Sequence, residues 1–345
     1  RSRRTSWLVE IGDSFGPAVA ERQALLEPGP VHRARRRRLT YRTICSRAWG
    51  VHAVGPLRLA TSDPFGLFHA ERSWPEVAPF AVFPRVWPVA GLEKLGARPS
   101  LSPQEITSAR PGQSLAYFGV RDYRPGDDLR RIHWPATARR GSPAVKEHEV
   151  DLVPYFTLFL DLDRAHRAGT GLKSTLEYLV RTSACLVWTA ARRGDLVQVL
   201  GEGNRSLVVP PGAGTLHATH ALYELIRAQQ DGRVPLLELL EQHHSHLPPG
   251  STAALLSGTL FLDLGRLEEA LGALQARRVR PVVLLVNKDS FLPIERRAAP
   301  REEAAERARA VGSLLRARSV PGAIFSADED LEDALGRPDL FAESW

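Results

Sequence analysis

Residues 154–161 read Pro-Tyr-Phe-Thr-Leu-Phe-Leu-Asp, an apolar run between a proline and an aspartate. Apolar residues at successive positions, rather than at alternate ones, are typical of a parallel strand that is buried on both faces. Short apolar segments of the same kind return at Leu196–Leu200, Thr252–Leu256 and Pro281–Asn287. This repetition predicts a parallel sheet in the C-terminal part of the chain.

Predicted helices separate these strands. Ser174 is the expected N-cap of a helix that continues through Arg192, and Glu177, three residues later, completes a capping box. The remaining predicted elements are helices at Thr215–Ala228, Leu236–His246, Leu267–Arg277 and Glu302–Ala317 and short strands at Ser206–Val209 and Ala323–Ser326. Repeated βα units predict an α/β domain over residues 151–345, with helices on both faces and right-handed crossovers.

The N-terminal part of the chain, residues 1–92, has a different pattern. Short segments bounded by Gly and Pro recur at Trp7–Ile11, Leu39–Ser46, Leu57–Ala60 and Val77–Phe83. Frequent prolines exclude a long helix, and the spacing is typical of a small antiparallel β-sandwich. Residues 93–150 are polar and rich in Ser-Pro and Arg-Pro-Gly turns, which predicts an irregular linker or a functional surface.

The net charge of +7 is unevenly distributed along the 345 residues. Residues 1–95 contain 15 Arg and Lys against 8 Asp and Glu, whereas the other 250 residues contain 31 of each. The excess peaks at Arg35–Arg38 and can attract an acidic protein, anionic lipid or nucleic acid. Sequence-specific nucleic-acid binding is not expected, because no finger, basic helix or aromatic–Gly platform accompanies the charge.

The chain contains no methionine and opens with Arg1-Ser2-Arg3-Arg4. No run approaches the ~18 consecutive apolar residues of a membrane span. The basic opening instead suggests the flank of a membrane helix that lies outside this chain, with the flank on the cytoplasmic side.

The two cysteines, Cys45 and Cys185, form no CxxC motif. Their separation indicates neither a disulfide framework nor a metal site, and we interpret both as small core residues in a reducing compartment.

The most specific motif covers residues 119–141, Gly-Val-Arg-Asp-Tyr-Arg-Pro-Gly-Asp-Asp-Leu-Arg-Arg-Ile-His-Trp-Pro-Ala-Thr-Ala-Arg-Arg-Gly. It resembles the signature of domain-of-unknown-function family 58, which is close to Leu-Arg-x-Tyr-x-Pro-Gly-Asp-Asp-x-Arg-x-Ile-Asp-Trp-x-x-x-Ala-Arg. Upstream, Ser62–Phe68 resembles the family's Asp-Pro-Phe-Gly-Leu-Phe turn. One departure is His133, where the family usually has Asp.

The resemblance implies a von Willebrand factor A-like, Rossmann-like α/β domain in the C-terminal half. Such bacterial proteins usually begin with two membrane helices, which implies a position on the cytoplasmic side of the inner membrane. They are commonly encoded beside MoxR-type AAA+ ATPases and are thought to act with them in assembling or maturing protein complexes. No catalytic activity is established for the family as a whole.

Elementary chemistry suggests roles for the motif residues. Pro125 and Gly126 are typical of a turn. Asp127 and Asp128 can accept N–H groups of the next segment or pair with Arg130 and Arg131, and Trp134 can pin the loop onto the α/β domain. The candidate signature or interaction residues are Tyr123, Pro125, Gly126, Asp127, Asp128, Arg130, His133, Trp134 and Arg139.

Three interpretations of the motif remain open: a salt-bridged clamp between domains, a partner-binding surface, and a catalytic or metal site of Asp127, Asp128 and His133. The third lacks an evident set of nucleophile, base and oxyanion donor. No Gly-Lys-Ser/Thr phosphate loop, Gly-x-Ser-x-Gly elbow or HExxH motif occurs, so no small-molecule substrate and no catalytic residue is predicted.

The resemblance to von Willebrand factor A domains raises the question of an ion site. Theirs combines Asp-x-Ser-x-Ser after the first strand with a Thr and an Asp from two later loops. Here the first loop keeps Asp161 but has Asp163 and Ala165 in place of the serines, Thr215 can fill the second loop, and Ser257 replaces the last Asp. We expect Asp161, Asp163, Thr215 and Ser257 on one rim, as a degenerate ion site where Mg²⁺ would need added water ligands.

Three functions follow. The first is a non-enzymatic, membrane-anchored adaptor for a MoxR-type AAA+ ATPase. The second is a divalent-metal-dependent hydrolase that uses the rim carboxylates. The third is a basic N-terminal domain that binds anionic lipid or nucleic acid. We favour the first, with no cofactor.

Overall fold

A computed structural model of the chain describes residues 8–15, 24–27, 40, 49–92, 117–124, 127–148, 154–293, 295 and 301–337. The chain forms two compact units. We call Arg1–Leu95 together with Tyr155–Trp345 the body, and Gly96–Pro154 the insert. The sequence-based boundaries at 92 and 150 lie close to these limits, but residues 1–95 share one unit with the α/β domain.

The body begins with an antiparallel sheet. Its strands are β1 (Leu8–Phe15), β2 (Ala24–Glu27), β3 (Gly50–Ser62), β4 (His69–Trp74) and β5 (Ala78–Val82). The strand order is β2-β1-β3-β4, and β5 pairs with the first part of the long β3. β4 was not predicted, because its exposed residues lack the apolar alternation of a half-buried strand.

The predicted sandwich is not seen as two facing sheets among the described residues, which form one sheet at this point of the chain. The second sheet therefore stays a prediction. The predicted strand at Leu39–Ser46 lies outside the described residues except for Thr40.

The insert contains regular structure where an irregular segment was predicted. Strands β6 (Tyr117–Asp122) and β7 (Ala144–His148) pair antiparallel, and a 3-10 turn (Leu129–Arg131) and helix α1 (Trp134–Arg140) lie between them in sequence. The prediction failed because charged residues interrupt the apolar pattern of both strands.

The α/β part of the body contains the predicted alternation of strands and helices. Its strands are β8 (Tyr155–Leu160), β9 (Gly169–Thr170), β10 (Lys173–Ser174), β11 (Leu196–Glu202), β12 (Ser206–Gly212), β13 (Thr252–Ser257), β14 (Arg280–Val286) and β15 (Gly322–Phe325). Its helices are α2 (Thr175–Arg193), α3 (Gly214–Leu225), α4 (Leu236–His243), α5 (Leu264–Ala276), α6 (Arg301–Ala317) and α7 (Leu331–Gly336). Among these described residues, no helix is long and apolar enough to span a membrane.

The main sheet has the order β12-β11-β8-β13-β14-β15. All neighbouring pairs are parallel except β11 and β12, which corrects the prediction of an all-parallel sheet. Only residues 203–205 join β11 to β12, and a parallel connection needs about a dozen residues or more.

The central strand β8 is buried on both faces, as its sequence predicts. Phe156, Leu158 and Leu160 belong to one apolar cluster, and Phe159 belongs to the cluster on the opposite face. Each such side chain contributes about 1.5–3 kcal/mol when it is fully buried, so this strand organises both layers of the core.

Helix α2 joins the N-terminal residues to the α/β core. We call residues 86–92 the strap. The amide of Trp87 donates to Cys185 Sγ at 3.4 Å, the amide of Val89 donates to Thr189 Oγ1 at 3.1 Å, and Arg193 donates to the carbonyl of Leu92. The strap therefore packs on the α/β core, although residues 1–92 were predicted to form a separate β-sandwich. Cys185 is buried, as predicted, whereas Cys45 lies outside the described residues.

The start of α2 differs from the predicted capping box in one respect. Ser174 Oγ accepts from the amide of Glu177 at 3.2 Å, as expected. The Glu177 carboxylate accepts a hydrogen bond from the Trp49 indole and lies beside Arg181. Burial raises the pKa of Glu177, and the Trp49 hydrogen bond and the Arg181 charge oppose that shift.

Candidate functional site

The motif of the insert is built around a bidentate ion pair. Arg121 in β6 donates from both terminal nitrogens to the two oxygens of Asp127, each at 2.7 Å. The Arg124 amide donates to the same carboxylate at 2.8 Å. These bonds, with that from Arg121 the most important, lower the pKa of Asp127 to about 2. Asp127 thus fixes the chain after β6, and it forms an ion pair with Arg121, a partner that was not predicted.

Asp128 and His133 are helix caps. Asp128 Oδ1 accepts from the Arg130 amide at 2.9 Å, which starts the 3-10 turn, as the sequence suggested. His133 Nδ1 accepts from the Ala136 amide at 3.1 Å at the start of α1. An aspartate at this position, the usual family residue, accepts the same kind of bond, so the departure at His133 keeps the capping role.

Apolar side chains of the motif are exposed. Trp134 is 68% exposed and Leu129 is 64% exposed. Arg130, Arg139 and Arg140 are exposed as well, while Tyr123 is half-buried and its amide donates to the carbonyl of Pro143. Pro125 and Gly126 lie outside the described residues. The motif therefore uses Asp127 and Asp128 in local hydrogen bonds, and it presents aromatic, aliphatic and cationic groups to solvent together with Asp122, which lies 3.7 Å from Arg140.

A second polar cluster lies at the carboxyl ends of β8 and β13. Asp161 is 1% exposed, and its Oδ2 accepts from Ser257 Oγ at 2.5 Å and lies 2.6 Å from His166 Nδ1. The Asp163 amide donates to Asp161 Oδ1 at 3.0 Å, and Asp163 in turn caps the 3-10 turn at Arg164–His166. We call Asp161, His166 and Ser257 the rim cluster.

The structure brings Asp161, Asp163 and Ser257 together, but not Thr215. Strand β12 runs antiparallel and ends opposite Val197, near the amino end of β11. Thr215 follows β12, and the neighbouring His217 contacts the carbonyl of Val197 at 2.8 Å. Thr215 therefore lies near the amino ends of the parallel strands, whereas Asp161, Asp163 and Ser257 lie at their carboxyl ends. The prediction that all four residues share one rim is wrong for Thr215.

Sequence reasoning missed other members of this polar region. Gln230 Oε1 accepts from Thr175 Oγ1 at 2.9 Å, and its Nε2 is buried with no partner among the described residues. A Cβ on Gly258 would lie 3.0 Å from Gln230 Nε2 and 3.2 Å from His166 Cβ, so a larger residue there would have to displace these neighbours by a few tenths of an ångström. Nothing in the local sequence of Gln230 marks it, because a loop 55 residues after Thr175 brings it to the site.

The rim cluster does not fit an octahedral Mg²⁺. The oxygens of Asp161 are engaged by protein donors, and a ring nitrogen stands where a cation would approach Oδ2. Over the described part of the chain, no three His, Cys, Asp or Glu side chains are arranged to hold a metal ion. Ser257 donates to the Asp161 carboxylate and not to a histidine, so the cluster does not have the serine–histidine pair of the common hydrolases.

The polar groups of a cleft of about 610 Å³ beside the turn between β11 and β12 are also paired with one another. Arg205 pairs with Glu224 at 2.7 Å, and Asn204 bonds to Asp231 through its amide at 2.9 Å. These polar groups of the cleft thus pair with one another and do not point together toward a possible ligand.

Comparisons with known proteins give one family match. The sequence profile of the family described as "Protein of unknown function DUF58" matches residues 119–311. No curated protein matches the chain.

Similar solved structures include BatB, a conserved hypothetical protein from Bacteroides thetaiotaomicron, with 13% identity and a TM-score of 0.39 over 53% of this chain and 95% of that one. The SpRpn10 VWA domain has 10% identity and a TM-score of 0.36 over 54% and 97% of the two chains. An aerotolerance-related membrane protein from Bacteroides fragilis has 12% identity and a TM-score of 0.35 over 53% and 94%.

Proposed function

We propose that this chain, which belongs to the DUF58 family of von Willebrand factor A-like proteins, is a non-enzymatic adaptor that binds a protein partner through the motif of its insert. The observation that carries the proposal is the exposure of Trp134 and Leu129 beside arginines, on a backbone held by the Arg121–Asp127 pair. The hydrogen bonds of the motif thus hold in place an exposed surface of apolar and basic side chains.

The chemistry of this surface suits protein binding. Trp and Arg are the residues that most often dominate the energy of protein interfaces. A backbone that is fixed before binding loses less conformational entropy when the complex forms. Exposed Arg130, Arg139 and Arg140 add positive charge, which favours a partner with an acidic patch.

We propose a MoxR-type AAA+ ATPase as the partner, with the chain held at the cytoplasmic side of the inner membrane. The support is the family resemblance, since such proteins are commonly encoded beside these ATPases. The adaptor would position the ATPase on its client complexes.

A hydrolase is less well supported. The three polar residues that would supply catalysis in the motif, Asp127, Asp128 and His133, each accept a local hydrogen bond. In the rim cluster the donors and acceptors likewise satisfy one another.

The test is direct binding to a purified MoxR-type AAA+ ATPase from the same host, measured by biolayer interferometry with and without a slowly hydrolysed ATP analogue. We expect binding that Trp134→Ala weakens at least tenfold and that Leu129→Ala weakens less. Leu216→Ala is the matched control, because Leu216 is 86% exposed on α3 in the body.

Absence of binding by the unaltered chain would overturn the ATPase assignment. If Trp134→Ala kept its affinity but lowered the melting temperature, the motif would be the clamp between domains considered from the sequence. A loss of affinity at unchanged melting temperature supports the adaptor.

A further inference from the structure

A cleft of about 540 Å³ lies where the strap meets the second half of α2. We call it the strap cleft, and its described lining consists of Pro88, Trp188, Thr189, Arg192 and Arg193. Pro88 is exposed and Trp188 is half-buried, so a proline ring and an indole ring present apolar surface that another group can reach. An apolar cleft with few polar groups is the usual form of a binding site.

Arg192 is the one uncommitted charge among the described residues that line the strap cleft. Arg193 donates to Asp195 and to the carbonyl of Leu92. Thr189 Oγ1 is bonded to backbone groups of the strap and of α2. Arg192 is exposed, and it pairs with no acidic side chain in the described part of the chain. The strap cleft therefore favours a carboxylate that is carried next to apolar side chains.

The last helix leads the chain to the strap. The carbonyl of Leu335, in α7, accepts from the amide of Ala90 at 3.1 Å, two residues after Pro88. Arg337, which follows α7, has the extended backbone angles φ = −63° and ψ = 125°. The next residue, Pro338, favours this conformation in the residue before it. The chain thus leaves α7 in an extended form, close to the strap.

The sequence beyond this point has the chemistry that suits the strap cleft. Residues 338–345, which we call the tail, read Pro-Asp-Leu-Phe-Ala-Glu-Ser-Trp, with two carboxylates, three large apolar side chains and no Lys or Arg. By contrast, residues 28–39 contain five Arg and no Asp or Glu, so their charge does not suit Arg192.

The tail is also long enough. At ~3.3 Å per residue, its residues can reach about 26 Å, whereas Pro88 lies only about 7 Å along the strap from Ala90. Because the tail is joined to α7, its local concentration at the strap is high, and docking within the chain loses less entropy than the binding of a separate chain.

We infer that the tail docks in the strap cleft, with a carboxylate at Arg192 and its apolar side chains against Trp188. The docked tail would join α7, the strap and α2 at one place on the body. It would also compete with any acidic segment of another protein for the same cleft. The inference depends neither on the ATPase nor on the motif of the insert.

Photo-crosslinking in the whole chain tests this inference. The probe p-benzoylphenylalanine, in place of Phe341, keeps an aromatic ring in the tail and reacts on irradiation with groups in contact with it. We expect mass spectrometry to find the main cross-link within one chain, to Pro88 or to residues 188–193. The matched control has the probe in place of Leu172, which is 54% exposed and precedes α2. It should give no such cross-link, because Thr175, at the start of α2, is about 20 Å from Trp188 at 1.5 Å per residue.

Variants of Arg192 test the charge. Arg192→Glu should lower the yield of this cross-link about fivefold, because like charges then face each other. Arg192→Lys should keep most of the yield. Adding Asp339→Lys and Glu343→Lys to Arg192→Glu should restore it, since the two charges are then exchanged.

A main cross-link to another part of the chain, or none, overturns the inference. An unchanged yield in Arg192→Glu overturns it as well. A cross-link between two chains would mean that the strap cleft takes the tail of a second copy, and docking within one chain would be wrong. Equal melting temperatures of the variants and the unaltered chain ensure that folding is not the cause.

Discussion

Two aspartates lie close together both at the rim cluster of the body, where Asp163 is bonded to Asp161, and in the motif of the insert, but the two regions differ in which side chains they bury. In the rim cluster, Asp161 is buried and satisfied by Ser257 and His166. In the motif, Asp127 and Asp128 hold the backbone near the surface, and Trp134 is exposed. These acidic residues bond to groups of the chain itself in both places, so the partner binding that we propose for the motif rests on its aromatic and basic groups.

The largest expected effect is at the rim cluster. Asp161→Ala removes the acceptor for Ser257, His166 and the Asp163 amide, and we expect a loss of about 3–5 kcal/mol, since several buried donors lose their partner. Urea denaturation of the body measures it. Asp163→Ala is the matched control and should cost only about 1 kcal/mol, the value of a lost cap.

The same two variants test the metal question. If Mg²⁺ raised the melting temperature of the unaltered chain and Asp161→Ala abolished that rise, the rim would be an ion site after all.

The next effect is at the ion pair of the motif. We expect Asp127→Asn to destabilise the insert by about 1.5–3 kcal/mol, the range for hydrogen bonds to charged groups. Because folding lowers the pKa of Asp127 to about 2, its contribution is complete above pH ~4 and is lost as pH falls toward 2.

Hydrogen exchange of amides in β6, β7 and α1 measures this loss, with the amides of β8 as an internal reference. An insert that exchanges at the same rate in both proteins at pH 6 would show that the pair is not structural.

A smaller effect is expected at the cap of α1. His133→Ala should cost about 1 kcal/mol, whereas His133→Asp, the usual family residue, should leave α1 within a few tenths of a kcal/mol of its present stability. Amide exchange in α1 distinguishes the two. Equal losses would mean that His133 acts through its other contacts.

The smallest effect on stability is expected at the exposed face of the motif. Trp134→Ala should change the free energy of unfolding by no more than about 0.5 kcal/mol, the usual range for surface positions. Thermal melting measures it. A large destabilisation would contradict the contrast between a buried rim cluster and an exposed motif. It would mean that Trp134 packs against other residues of the folded chain.

The sequence predicts much of the α/β body and less of its candidate site. Phe156–Leu160 has a continuous apolar pattern because both faces of β8 are buried, so periodicity identifies it readily. The direction of β12 depends on the length of the turn before it, and misreading that direction also misplaced Thr215. Arg121 precedes the Pro-Gly turn and Gln230 lies far along the chain from Asp161, so local pairing rules do not find them.

The strap determines how the chain would carry mechanical load. The insert is linked to the body at both ends, directly after the strap and directly before β8. Trp87, Val89 and Leu92 are hydrogen-bonded to residues of α2. Tension applied to the N-terminal sheet is therefore transmitted through these hydrogen bonds to α2 and to the main sheet. The insert would bear none of that tension until those bonds break. Tension on the N-terminal sheet would therefore leave the hydrogen bonds of the motif intact.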